Sequence, residues 1–213
     1  MTNAQYQRLV LGLVGVWLVV TTAASAQGMF DGGPGRPPLA FGLAALTPIV
    51  LFAAWFALSA GFRGYIRSLS PATLTFLQSW RIVGAAFLVL YAYALLPGVF
   101  ALPAGWGDLL IGVTAPFVAL NLAKPGHRGS FIAWQFLGVA DLVIAVTAGT
   151  TAGFLAPHSA STESLTKLPL SMIPTFGVPL LMIVHFICIG QALRWPKQVS
   201  KEAAGAELRT TTA

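Results

Sequence analysis

Residues 130–150 read SFIAWQFLGVADLVIAVTAGT, a run of 21 positions with one ionisable side chain, Asp141, near its centre. A helix rises 1.5 Å per residue, so about 20 such residues cross the roughly 30 Å of a bilayer's hydrocarbon core. Five more runs meet the same standard, at approximately 9–26, 39–61, 77–96, 103–122 and 174–194. Backbone in lipid must satisfy its own hydrogen bonds, and runs this long in Ala, Leu, Gly and Phe do not resemble the short alternating strands of a barrel. The expected fold class is all-α: a polytopic integral membrane protein with a six-transmembrane-helix bundle over residues 1–195 and a polar tail at 196–213.

Composition agrees. Of 213 residues, 56% are hydrophobic and 8% charged, against about 25% charged in a soluble domain. Mean hydropathy is +0.79. The 22 Gly and 14 Pro follow no repeat, which excludes a collagen-like fibre, and a lone cysteine, Cys188, excludes a disulfide framework or a multi-cysteine metal site. The net charge of +6 forms no basic patch interleaved with aromatics, so no nucleic-acid partner is expected. The partner is the lipid bilayer, and the charge reads as topology.

Under the positive-inside rule, Arg8, Arg63, Arg67, Arg81, Lys124, Arg128, Arg194, Lys197, Lys201 and Arg209 fall on one side, which is ten of the twelve basic residues. Arg36 and Lys167 fall opposite. Both termini are therefore expected to be cytoplasmic, in a plasma membrane of bacterial type, with Trp80 and Trp195 at the inner interface and Trp106 near the outer one. In this reading Arg81 is an anchor that snorkels to the inner interface. A rival reading of the first run is a cleavable signal peptide, from Arg8, the apolar stretch Leu9 to Val20 and the small residues Ala24-Ser25-Ala26.

Prolines and caps mark the boundaries. Ser70-Pro71 is a cap followed by a first-turn proline, expected as a short interfacial turn leading into the third run. Pro97-Gly98 ends that run and Pro103 opens the fourth. Pro174 and Pro179, flanking Thr175 and Gly177, predict a kinked or unwound outer turn in the sixth, and Thr47-Pro48 a milder break in the second.

Gly105 to Ala115 matches Gly138 to Ala148, 33 residues later, at seven of eleven positions, among them Asp108 with Asp141. The copies lie on successive, oppositely directed helices, the arrangement on which many transporters build a central site. Chance similarity in an Ala/Gly/Leu/Val-rich chain is the competing account. Each Asp also lies in a row of small residues, Gly105, Asp108, Gly112, Ala115 and Gly138, Asp141, Ala145, Ala148, a pattern that ordinarily serves close helix packing.

An ionisable side chain inside a membrane is costly and normally faces the bundle interior. Counting from the ends of the runs puts Asp141 and His185 near the midplane, Asp108 in the outer third, and Gln135 and Arg81 in the inner third. Asp141 with His185 is the leading candidate for a proton- or ligand-binding pair, because imidazole changes charge near neutrality. Asp108 would lie toward an external mouth, Gln135 would act as interhelical glue, and Thr175 would offer a hydroxyl at the broken sixth helix. The competing account is a buried hydrogen bond that locks two helices. No P-loop, G-x-G-x-x-G, H-E-x-x-H or G-x-S-x-G occurs, and neither cofactor nor metal is expected. Haem held by His185 and a methionine such as Met172 is a minor option. The leading expectation is a small transporter, proton-linked or not, or a ligand-binding protein, with its site between the last three helices, and not an enzyme. The alternative is a non-catalytic interaction subunit whose polar groups hold a homo-oligomer or a partner subunit, with an intramembrane lipid or quinone enzyme third.

Overall fold

The computed structural model describes residues 1–31, 39–155 and 161–196. Among them the chain is helical and contains no strand. Six helices are long and apolar enough to cross a membrane: Asn3–Ala26, Leu39–Leu58, Pro71–Ala92, Gly98–Asn121, Pro125–Ala152 and Ile173–Ala192. Arg36, His158 and nearly all of the polar tail lie outside the described residues.

Helix α1 (Asn3–Ala26) opens with a capping box, in which the Thr2 hydroxyl accepts from the Gln5 N–H and the Gln5 side chain accepts from the Thr2 N–H at 2.8 Å. It closes at Gly28, whose φ of 69° suits glycine, with Gly28 N–H on Ser25 O and Met29 N–H on Ala24 O. Helix α2 (Leu39–Leu58) has no buried residue although it is strongly apolar, which suits a helix solvated by lipid. Ser59 caps the amphipathic α3 (Ala60–Ser68), so the second apolar helix stops three residues earlier than expected. Arg63 donates to Phe56 O at 2.9 Å and Ala57 O at 2.6 Å, a cation on the carbonyl end of α2. Phe62 gathers Tyr6, Phe52, Trp55 and Tyr65 around it, fastening α1, α2 and α3 together.

The third and fourth apolar helices start earlier than their composition suggested. As expected, Ser70 is the cap, its hydroxyl accepting from Thr73 N–H at 3.2 Å, and Pro71 opens the first turn leading into the third helix. They begin a continuous helix of α4 (Pro71–Phe76), a 3-10 stretch (Leu77–Gly84) and α5 (Ala85–Ala92). Helix α6 (Gly98–Asn121) starts at the Pro97 cap and carries Pro103 inside, where the missing N–H forfeits only one early bond. Both starts move earlier by about one and a half turns, so Arg81 stands ten residues after Pro71 and eleven before Ala92. Asp108 stands ten after Gly98 and thirteen before Asn121. Neither belongs to an outer or inner third: both are central. Trp80, 73% exposed beside Arg81, is likewise mid-helix and not at an inner interface, and Trp106 is also displaced toward the helix centre.

Helix α7 (Arg128–Leu155) carries Asp141 at its midpoint. The expected irregularity before the last helix is present as a π-helical turn, Ile173–Gly177, leading into α8 (Val178–Ala192) without unwinding. The third through sixth apolar helices form the packed centre, while α1 and α2 lie against the last helix from outside.

Substitution Phe62→Ala should cost about 3–5 kcal/mol of packing, read as a lower thermal midpoint, and should expose α1 to protease. Trp80→Ala, at an exposed position, should change the midpoint little; equal effects from the two would contradict the arrangement.

Candidate functional site

Buried residues on the third apolar helix recur at intervals of three: Thr75, Gln78, Arg81, Gly84 and Phe87. In an α-helix that spacing drifts round the axis, but in a 3-10 segment side chains at i and i+3 eclipse and form a straight row. The row delivers three polar side chains to the interior, and Arg81 is its centre.

The Arg81 guanidinium is buried, with 1% of its side chain exposed. Its Nε–H donates to Asp108 at 2.7 Å and Nη2 to Asp141, while Nη1 donates to Gly138 O at 3.2 Å and faces His185 Nε2 at 3.4 Å. Nε–H and Nη2–H lie along one edge of the planar fork, the edge a single carboxylate commonly takes with both oxygens. Here two carboxylates divide it, one from each copy of the repeated segment. They keep 14% and 11% of their side chains exposed, so the acids form the accessible margin of a buried cation.

A chain of hydrogen bonds runs on from the guanidinium. His185 Nδ1 meets Gln135 Oε1 at 2.5 Å, and Gln135 Nε2 donates to Thr75 Oγ1 at 3.1 Å. Because the Gln135 amide donates to Thr75, its oxygen accepts from His185. The imidazole proton therefore belongs on Nδ1, leaving Nε2 to accept from Arg81. The Thr75 hydroxyl lies 3.8 Å from Cys188 Sγ. Trp134 flanks His185 with ring centroids 6.0 Å apart and donates to Thr114 at 2.9 Å.

Glycines make this density possible. A Cβ added at Gly84 would strike Asp108, at Gly107 the Asp141 carboxylate, and at Gly138 the His185 ring. At Gly112 it would come within 2.5 Å of the Ile82 backbone nitrogen. The small-residue rows thus do more than bring helices together, since they leave room for the charged cluster between them. Apolar groups bracket it, with Phe87, Leu96 and Phe100 toward one end and Val118, Phe131 and Cys188 toward the other.

Of the residues singled out in the sequence, Asp108, Asp141, His185 and Gln135 come together in one network. Asp141 and His185 meet through Arg81, each on a different nitrogen of the guanidinium. Thr175 stands apart, buried and donating to Ser171 O at 2.7 Å. Arg81 is no snorkelling anchor: at mid-helix, with two acids in reach, its lowest-energy partner is internal. The missed signal was the polar triplet Thr75, Gln78, Arg81 at constant spacing. No group of three or more His, Cys, Asp or Glu placed to hold a metal occurs among the described residues.

Removing one partner from a buried ion cluster leaves uncompensated charge, commonly at a cost of 3–5 kcal/mol, whereas removing all of them is far milder. Arg81→Leu should therefore lower the thermal midpoint more than the triple change Arg81→Leu, Asp108→Asn, Asp141→Asn. Arg81→Lys should not restore stability, because an ammonium lacks the fork. Additive losses in the triple variant would contradict a shared network.

Searches of the curated proteins and of the solved structures find no match to the chain. A family model described as a domain of unknown function, DUF8737, matches residues 37–193, which takes in the second through sixth apolar helices and every member of the Arg81 network. The chain belongs to that family.

Proposed function

We propose that the chain is a six-span membrane protein, with both termini cytoplasmic, whose Arg81 cluster is the proton-binding centre of a small transporter or ligand-binding protein. The observation that carries the reading is two carboxylates on one edge of one guanidinium. Arg81 contributes one positive charge against two negative ones, and His185 is held as a neutral acceptor. In a low dielectric the excess negative charge is expensive, and side-by-side carboxylates share one proton more readily than they carry two charges. The cluster is neutral with one proton and negative without it. In this reading the proton resides on Asp108 or Asp141, the members that keep some exposure, with His185 of the expected Asp141–His185 pair serving as an acceptor.

Assigning Arg81 to the interior leaves eleven basic residues for the topology count, nine of them on the proposed cytoplasmic side. Retention of α1 is supported by contacts at both its ends: Tyr6 stacks on Tyr65 at 5.7 Å, and Ser25 hydrogen-bonds to Ser171. A second reading, an assembly subunit with a purely structural ion cluster, is favoured by the tight glycine packing around it.

In proteoliposomes with an imposed pH gradient and an internal pH dye, the parent protein should carry protons, alone or with a substrate drawn from a metabolite mixture. Asp141→Asn and Asp108→Asn should remain folded and lose that flux. Trp134 fluorescence should titrate in the parent and not in Asp141→Asn. Parent and Asp141→Asn behaving alike in both measurements would leave the structural reading in its place.

A further inference from the structure

Away from the central cluster, α2, α3 and α8 enclose a cavity of about 300 Å³. Its wall is apolar, built largely by Phe52, Phe56, Phe186 and Ile187. Arg67, at the end of α3, and Arg194, just past the end of α8, line it at one extremity, and no acidic side chain does so among the described residues. Neighbouring cations are already engaged: Arg63 holds the carbonyl end of α2, and Arg128 donates to Leu193 O at 3.1 Å. The guanidiniums of Arg67 and Arg194 make no ion pair or hydrogen bond among the described residues. Gln191, which is 9% exposed, lines the same wall. Its amide donates to Ile66 O and Leu69 O, each at 2.9 Å, while its buried Oε1 meets no donor. At Gly190 a Cβ would find nothing within 4 Å.

We infer that this groove holds one anionic glycerophospholipid, an acyl chain against the phenylalanines and the phosphate between Arg67 and Arg194. The inference rests on the chain being embedded in a membrane, but not on the proton-binding reading of the centre. An apolar channel ending in two guanidiniums with no partner among the described residues complements a molecule that is apolar along its length and anionic at its head. A neutral lipid would leave both arginines unanswered. The Gln191 oxygen supplies an acceptor beside them, suited to a hydroxyl of a glycerol headgroup.

The test uses the full chain in mild detergent and native mass spectrometry, with phosphatidylglycerol, phosphatidylcholine and inorganic phosphate as separate probes. The parent should retain one phosphatidylglycerol at about thirtyfold higher affinity than phosphatidylcholine, and phosphate alone should not bind measurably. Arg67→Gln with Arg194→Gln should abolish the preference while leaving weak binding of both lipids. Gly190→Leu, which fills the groove and keeps both arginines, should weaken both lipids. Equal retention of the two lipids by the parent, or a preference unchanged in the double variant, overturns the inference. So does lipid binding that appears only after Glu202→Gln with Glu207→Gln, which would identify the chain's own tail as the occupant. A parent protein that stays in aqueous solution without detergent or vesicles would instead defeat the membrane reading itself.

Discussion

A guanidinium cannot surrender its charge, so burying Arg81 obliges the fold to bring acids to it. Asp108 arrives from α6 and Asp141 from α7, while α8 adds the imidazole that faces the remaining nitrogen. The four central helices are thus tied at one point by groups from each of them. Glycines at 84, 107, 112 and 138 follow from the same constraint, since a side chain at any of them would fall on the cluster or on the helix that bears it. The 3-10 stretch follows as well, because it alone aligns Gln78 and Arg81 with Thr75 on a single row.

Distance from that point organises the rest of the molecule. Apolar clusters flank the charged centre at both ends, and beyond them polar contacts are helix caps or isolated links such as Gln191 to Ile66 O and Leu69 O. Helices α1 and α2 contribute nothing to the charged network; they attach through the aromatic group around Phe62 and through the Ser25 contact with Ser171. Their outward faces are apolar and exposed, and the groove between α2 and α8 lies where the packed centre gives way to that periphery.

The helical class, the six apolar helices and the matched positions of Asp108 and Asp141 in a repeated segment were legible in the sequence because each rests on a local quantity: run length, hydropathy, or a repeated segment. Helix starts were less legible. Ala, Gly and Pro near Pro71 and Gly98 dilute the apolar signal, and the window that best matched lipid began about one and a half turns late. That error alone moved Arg81 inward and Asp108 outward, and so separated two residues that touch. The row Thr75, Gln78, Arg81 stayed hidden for a related reason: Thr75 lay outside the expected third run at 77–96, so the spacing it shares with Gln78 and Arg81, which the 3-10 stretch turns into a straight row, was not read. Thr175 was credited to the site by its place in a broken helix, yet its hydroxyl is spent on the backbone one turn before it.

The chain contains only three aspartates, Asp31, Asp108 and Asp141, which makes its central pairing directly measurable. With ¹⁵N in the arginine guanidinium groups and ¹³C in the aspartate carboxyls, solid-state NMR in bilayers reports which carboxyl carbons lie within a few ångströms of a guanidinium nitrogen. Two of the three carboxyl signals should dephase against arginine nitrogen, and both effects should vanish in Arg81→Lys, which keeps both acids and carries no guanidinium there. Dephasing of only one carboxyl, or of none, would contradict a single arginine shared by both acids.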